Sequence, residues 1–278
     1  MQRKSCLMHA NCQGEELTAL LTASAAFRRA FRLTLRTNYT REPIAAQELA
    51  ACDLFLYQHL DEHWGEFASA ALLRRLPSSA TALCIPNLFF KGYWPFWTGD
   101  SLIAFGDSLL NRLIDEGTPK PVILRIYLHG NIQSFVNLQA SLDETIDKAR
   151  QKERLTCVNT VDFLLEHWKR RLIFHTVNHP GRDMLIRMAN GILEAAGLPP
   201  LTENERASAF RACFPSYSDF DLPVHPQVAA FHGLDFAGPE SDYSIFGRRM
   251  SFAAYISRYI DCRLNGMDKD FMGYLQLV

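Results

Sequence analysis

The segment His9-Ala10-Asn11-Cys12-Gln13-Gly14 sets a thiol between two amide side chains, directly after a short apolar run. A cysteine placed there can act as a nucleophile once it ionises, because the thiolate is the attacking form. At the start of a helix the backbone N–H groups would face such a thiol and lower its pKa. They would also steady an anion or a developing oxyanion. A second candidate is Asn178-His179-Pro180, where proline fixes the backbone beside an imidazole suited to general-base work. Among nine histidines, this one is selected by position rather than by identity.

The elements that must hold these groups follow from periodicity. Lys4 to Ala10 is short, apolar and closed by a polar turn, which predicts a buried strand. Glu15 to Phe31 has helical spacing, with an acidic start and Arg28-Arg29 near its end. Arg32 to Thr37 alternates as a second strand, and a short helix is expected from about Pro43 to Ala51. Leu54 to Gln58, a helix from about Gly65 to Leu76, and Thr81 to Ile85 complete a βαβαβαβ series. That alternation predicts an α/β fold, a parallel sheet flanked by helices. Ligands in such sheets bind beyond the carboxyl ends of the strands. Leu172 to Thr176 reads as a further strand before a helix from Arg182 to Ala196, which would bring His179 to the same sheet edge as Cys12.

Between these parts, Pro86 to Trp97 is an aromatic-rich loop around Lys91-Gly92, able to cover a core or to stack on sugar rings. Helices are expected over Phe105 to Glu116, Phe135 to Gln151, Thr160 to Arg170 and Arg248 to Leu264, with a short one ending near His232. The economical organisation is one domain over residues 1–278, with a core of about 4–197 and a helical C-terminal extension of about 198–278. The apolar tail Phe271 to Val278 is available to pack on the core or on a partner.

Composition narrows the classes. Hydrophobic residues make up 48% and charged residues 21%, a globular profile, and a net charge of -1 supplies no field for nucleic acid or anionic membrane. No stretch is long and apolar enough for a secretory leader or a membrane span. Seven scattered cysteines show no metal-ligand spacing, so no metal and no disulfide framework are expected. Apart from Cys12 they read as small packed residues in a reducing cytoplasm, the expected location.

The ordered motifs also carry a likeness. His9-Ala10-Asn11-Cys12-Gln13, then Leu54-Phe55-Leu56-Tyr57-Gln58, Ile85-Pro86-Asn87, Lys91-Gly92-Tyr93-Trp94-Pro95 and Arg171-Leu172-Ile173-Phe174 leading into Asn178-His179-Pro180 resemble the WcbI-type polysaccharide biosynthesis family. The likeness runs from about Ser5 to Gly197. It implies a core laid out like the SGNH hydrolases or flavodoxin, and an acetyltransferase that takes acetyl from coenzyme A to a sugar of a capsular or surface polysaccharide. The implied catalytic residues are Cys12 and His179. Asn11, Gln13, Gly14, Asn178, Gln58 and Asn87 would bind substrate or oxyanion, and Lys91, Tyr93 and Arg182 would contact coenzyme A. The partners so implied are an acyl donor and a sugar or glycan acceptor. Two departures stand out: Ala10 where the family has glycine, and Thr176 where an SGNH triad would carry aspartate.

Two rivals remain. Gly106-Asp107-Ser108-Leu109 is the literal string of the GDSL esterases, which would make Ser108 a nucleophile, although Asp107-Ser108 also reads as a helix start. The other rival is a carbohydrate- or nucleotide-binding module without chemistry.

Overall fold

The computed structural model describes residues 3–99, 103–213 and 219–277. Val278 and the side chain of Cys213 lie outside the described residues. In chain order the first elements are β1 (Lys4–Ala10), α1 (Gln13–Ala23), α2 (Ala25–Ala30), β2 (Phe31–Thr37), α3 (Ala46–Ala50), β3 (Leu54–Gln58), α4 (Ser69–Leu73) and β4 (Thr81–Ile85). Next come β5 (Trp97–Thr98), β6 (Gly106–Asp107), α5 (Ser108–Asp115), α6 (Lys120–His129), α7 (Leu138–Glu153) and α8 (Val161–His167). Then follow β7 (Phe174–Thr176), β8 (His179–Pro180), α9 (Arg182–Ala195), α10 (Glu203–Cys213) and α11 (Pro226–His232). The last are β9 (Asp242–Ile245), β10 (Arg248–Ser251), α12 (Phe252–Leu264) and α13 (Phe271–Leu277).

These elements form two compact units. The first comprises Met1–Leu88, Lys148–Leu164 and Pro180–Phe214, the second Phe89–Asp147, Leu165–His179 and Pro215–Val278.

The first unit is the α/β core that the alternation predicts. Its sheet has the order β2-β1-β3-β4, and every neighbouring pair is parallel. β1 is central, and Cys6 to Ala10 are all buried, as a strand covered on both faces requires. The pleat sends alternate side chains to opposite faces. Leu7 and Phe55 join Ile44, Leu49 and Leu72 in one cluster, while the hydroxyl of Thr18 on α1 approaches the sulfur of Met8 at 4.0 Å.

Two predicted helices are broken for local reasons. Ser24 is extended (φ -65°, ψ 119°), and its hydroxyl accepts from Phe27 N, so it ends α1 and starts α2. Gly65 takes φ 59° and ψ -121°, which no helix accommodates, so the segment Glu62–Phe67 before α4 is two short 3-10 turns kinked at that residue.

The second unit has an aromatic core. Phe90, Tyr93, Trp94 and Phe96 from the predicted loop are buried, and Phe90 meets Tyr93 edge-on at 5.0 Å. The loop therefore is this unit's core rather than a cover over it. The start of the predicted helix at Arg248 is instead the β9–β10 hairpin, with the helix beginning at Phe252 and capped by Ser251. Leu172 to Thr176 is not a strand of the parallel sheet: only Phe174–Thr176 is extended, and it pairs with β8 in a separate two-stranded sheet.

Gly14 lets α1 close on the sheet. A Cβ there would stand 2.7 Å from Leu35 Cδ1 and 3.0 Å from Ala10 Cβ. A Gly14→Val variant is expected to be destabilised by about 1–3 kcal/mol through overpacking, read as a lower urea midpoint with an unchanged slope.

Candidate functional site

At the carboxyl end of β1 the chain turns directly into α1. Cys12 is the cap residue of that helix, half-buried, with φ -52° and ψ -27° and no side-chain capping bond. The amides beside it build a frame. Asn11 N donates to Gln58 Oε1 at 2.7 Å, and Asn11 Nδ2 donates to Asn87 Oδ1 at 3.2 Å. Gln13 clasps the backbone of Leu88, donating Nε2 to its carbonyl at 2.8 Å and accepting its N–H at 3.2 Å. Gln58 Nε2 reaches Pro86 O at 3.1 Å and Gln13 Oε1 at 3.4 Å. Asn11, Gln13, Gly14, Gln58 and Asn87 are thus brought together as the sequence predicts, from the ends of β1, β3 and β4.

The roles differ from those expected. Gln13 and Gln58 are fully buried and bond their amides to protein partners, so they hold the turn. The helix N–H groups expected to face an oxyanion are engaged too. Asn11 Oδ1 accepts Gln13 N at 3.0 Å, Asn11 O accepts Gly14 N at 2.9 Å, and Cys12 O accepts Glu15 N at 3.3 Å. What the turn offers Cys12 is the positive end of the α1 dipole on a rigid mount.

Two neighbours of Cys12 escaped the sequence reading. Tyr39, 57% exposed just beyond β2, has its phenol pKa raised by partial desolvation and then by the nearby Cys12 and Glu15. Glu16 follows Cys12 by four residues, the spacing of neighbours on one helix face. It is only 5% exposed, and its Oε2 has no hydrogen-bond partner. Burial raises its carboxyl to about 7. A single glutamate in the acidic first turn of a helix reads as a dipole partner, and nothing in the sequence marks it as buried.

His179 belongs to the second unit and Cys12 to the first. Because β7 stands outside the parallel sheet, the shared-edge argument that paired them does not apply. Locally the imidazole is well held. Thr176 Oγ1 donates to Asn178 Oδ1 at 3.2 Å and lies 2.7 Å from His179 Nδ1. With its proton given to Asn178, the threonine oxygen accepts from Nδ1–H, which leaves the basic lone pair on Nε2. The residue at the vacant triad-acid position is therefore the one that orients the ring. Desolvation, with the nearby His175, lowers His179 to about 4. His175 itself holds Asp221 Oδ1 at 2.6 Å on Nδ1, and Leu222 N donates to its carbonyl. This His–Asp pair spans 46 residues and had no local signal.

Of the coenzyme A contacts expected, Tyr93 is a core residue, fully buried with its hydroxyl donated to Trp168 O at 2.5 Å. Lys91 Nζ stands 5.8 Å from the centre of the Trp97 ring, and its N–H donates to Thr145 Oγ1. Arg182 is exposed at the start of α9, with its guanidinium 5.0 Å from the Phe210 ring. Ser108 is an exposed first-turn residue of α5, and Asp107 caps that helix by accepting Leu110 N at 2.8 Å, which is the helix-start reading of the GDSL string. Among the described residues there is no cluster of metal ligands, no disulfide, and no helix long and apolar enough to cross a membrane.

The first unit defines a class: an α/β protein whose central parallel strand delivers a cysteine to the start of the following helix. The chain belongs to the WcbI family, since the family model for the polysaccharide biosynthesis enzyme WcbI matches residues 5–201. Its fold is similar to a solved structure of WcbI, described as a novel polysaccharide biosynthesis enzyme in its native form without a disulfide bond between coenzyme A and one of its cysteines. The two are 16% identical with a TM-score of 0.75, over 98% of this chain and 96% of that one. No curated protein sequence matches the chain.

The buried carboxyl of Glu16 makes stability fall with pH. Its folded pKa of about 7 exceeds the ordinary 4.5, so its contribution is fully present below about 4.5 and is lost as pH rises through 7. A shift of that size corresponds to about 3 kcal/mol. Glu16→Gln is expected to gain most of that amount on the parent between pH 4.5 and pH 8. Urea unfolding at both values measures it, and a pH-independent difference would contradict the assignment.

Proposed function

We propose that this chain transfers an acetyl group from acetyl-coenzyme A to a hydroxyl of a sugar destined for a capsular or surface polysaccharide. The observation that carries the reading is Cys12 at the positive end of α1, held by the amide frame at the end of the central strand. Membership of a family of polysaccharide biosynthesis enzymes supports the acceptor class and stands against a module without chemistry. The description of the related structure, which names coenzyme A together with a cysteine, supports the donor.

In the proposed route Cys12 Sγ, as thiolate, attacks the thioester carbonyl. The tetrahedral oxyanion collapses, the carbon–sulfur bond to coenzyme A breaks, and the coenzyme leaves as its thiolate, which takes up a proton. The acceptor hydroxyl then loses its proton to a general base, for which His179 Nε2 is the candidate, and attacks the acyl-cysteine, which restores the Cys12 thiolate. Asn11 and Asn87 are the half-buried amides of the frame and the proposed substrate contacts, with Asn178 fixing Thr176 and so the imidazole. Lys91 and Arg182 are the proposed cations for the phosphates of coenzyme A, while Tyr93 acts by holding its loop.

Coenzyme A is expected to raise the melting temperature, because a ligand of the folded state alone stabilises it by about 2.7 kcal/mol at a hundred times Kd. No shift at millimolar coenzyme A sinks the proposal. Incubation with acetyl-coenzyme A should leave one acetyl group on the wild type and none on Cys12→Ser by intact mass. Without that adduct the covalent step fails, and direct attack of the hydroxyl on the thioester takes its place.

A base lowered to about 4 is neutral throughout the neutral range. The acid limb of kcat/KM for the acceptor, whose half-reaction starts from acyl-Cys12 and so carries no thiol ionisation, is therefore expected near pH 4 rather than at the ordinary histidine value. His179→Ala should cost about a hundred-fold or more. A limb near 6.5 in the wild type would remove His179 as the base.

A further inference from the structure

Among the described residues, three positions other than glycine take a positive φ, and two of them are bulky aromatics: Phe105 (55°) and Phe246 (50°). The left-handed region crowds Cβ against the carbonyl oxygen, so glycine and asparagine are its usual occupants. Phe246 has a local reason to be there. With Gly247 (φ 76°) it forms the two-residue turn between β9 and β10, and such a turn requires positive φ at both positions. Phe105 stands in the turn that leads into β6, and its ring shows what holds it.

That ring stacks on Phe220 at 5.3 Å and 21°, and Phe246 stacks on the same partner at 5.4 Å and 29°. Phe220 is buried and fixed by its flanks. Its backbone bridges to Ile245, Phe246 N donates to Asp219 O at 2.5 Å, and Leu222 N donates to His175 O at 2.8 Å. Strained residues persist where their surroundings over-determine them, and they cluster at functional sites. Here the surroundings include the imidazole of His179, which meets the Phe105 ring edge-on, with 6.2 Å between centres and 72° between planes. Phe105, Phe220, Phe246 and His179 all belong to the second unit.

The contact supplies what the Thr176 hydrogen bond leaves open. One bond at Nδ1 sets which nitrogen carries the proton. The torsion that turns an imidazole about its Cβ is broad, so that bond alone leaves the plane free to swing. An aromatic ring set against the imidazole fixes the plane and excludes water from one side. Loss of water disfavours the charged form, which is the direction in which His179 is moved. The charged group that acts alongside is His175, itself paired with Asp221.

We propose that Phe105 is a positioning residue for His179: clamped on Phe220, its ring fixes and shields the imidazole so that Nε2 is presented as a neutral base. The proposal rests on the reading of His179 as the base of the acceptor step, but its test is read in the free chain.

That test is the titration of the His179 ring, followed by NMR in the full chain labelled at histidine, with His179→Gln to assign the signal. Neither coenzyme A nor sugar is present. Asparagine suits a left-handed backbone, so Phe105→Asn removes the ring and keeps the turn. The midpoint is expected near 4 in the wild type and in Phe105→Tyr, and about one pH unit higher in Phe105→Asn, toward the ordinary 6.5. Phe220→Leu loosens the clamp and leaves residue 105 alone. It should move the midpoint the same way, and is the second arm should Phe105→Asn fold poorly. A midpoint unmoved in both Phe105→Asn and Phe220→Leu overturns the proposal, as does an equal rise in Phe105→Tyr. In acetyl transfer, Phe105→Asn should lower kcat/KM for the acceptor about ten-fold through the misplaced base. A raised midpoint with that rate unchanged would uphold the contact and sink only the reading of His179 as the base.

Discussion

The first unit depends on the need to satisfy buried amides where its parallel strands end. Gln58 stands fully buried at the end of β3, and Gln13 fully buried at the start of α1. Neither can turn to water, so each must find partners inside, and the partners available are each other, Asn11 and the backbone from Pro86 to Leu88. Satisfying them ties the ends of β1, β3 and β4 into one piece. Cys12 sits on that piece between two residues whose backbone N–H groups are both bonded to amide side chains. Gly14 completes the arrangement by letting α1 lie against Leu35 and Ala10.

Burial favours the neutral form of two titratable groups, one in each unit. Glu16, one turn along the helix, is a buried carboxyl whose proton is held to about 7. His179 is the opposite case, an imidazole that desolvation keeps neutral. Its orientation comes from the hydroxyl of Thr176, a neutral group, so the ring is fixed in one tautomer without a carboxylate to raise its basicity. The carboxylate in that neighbourhood, Asp221, is engaged by His175. The division resembles a triad in which orientation and charge have been given to different residues.

Aromatic packing organises the second unit. Phe90, Tyr93, Trp168 and Phe174 interlock by edge and face, and the polar ends of Tyr93 and Trp94 are carried to backbone carbonyls at Trp168 and Leu222. This explains why a segment with the composition of a binding loop is mostly interior. The same segment keeps one flank, at Trp94 to Trp97, on a small pocket that Asp107, the cap of α5, also lines. A single residue thus ends one loop, starts α5 and anchors Tyr127.

The strand–helix alternation of the first 85 residues, the turn at Cys12 and the cap at Asp107 were all legible in the sequence, because each rests on local patterns of apolar spacing and capping chemistry. The same locality explains the errors. The run before His179 has the apolar character of a strand, and no local pattern says which sheet a strand joins. Helix breaks at Ser24 and Gly65 follow from local backbone angles outside the helical region, which apolar spacing does not report. Tertiary structure alone decided that Gln13 and Gln58 are buried and bonded within the turn, that Glu16 is buried, and that His175 meets Asp221. Burial and pairing across dozens of residues arise from how elements pack, and a linear pattern carries no trace of them. The sequence by itself thus determined where a thiol would be presented, and packing determined what surrounds it.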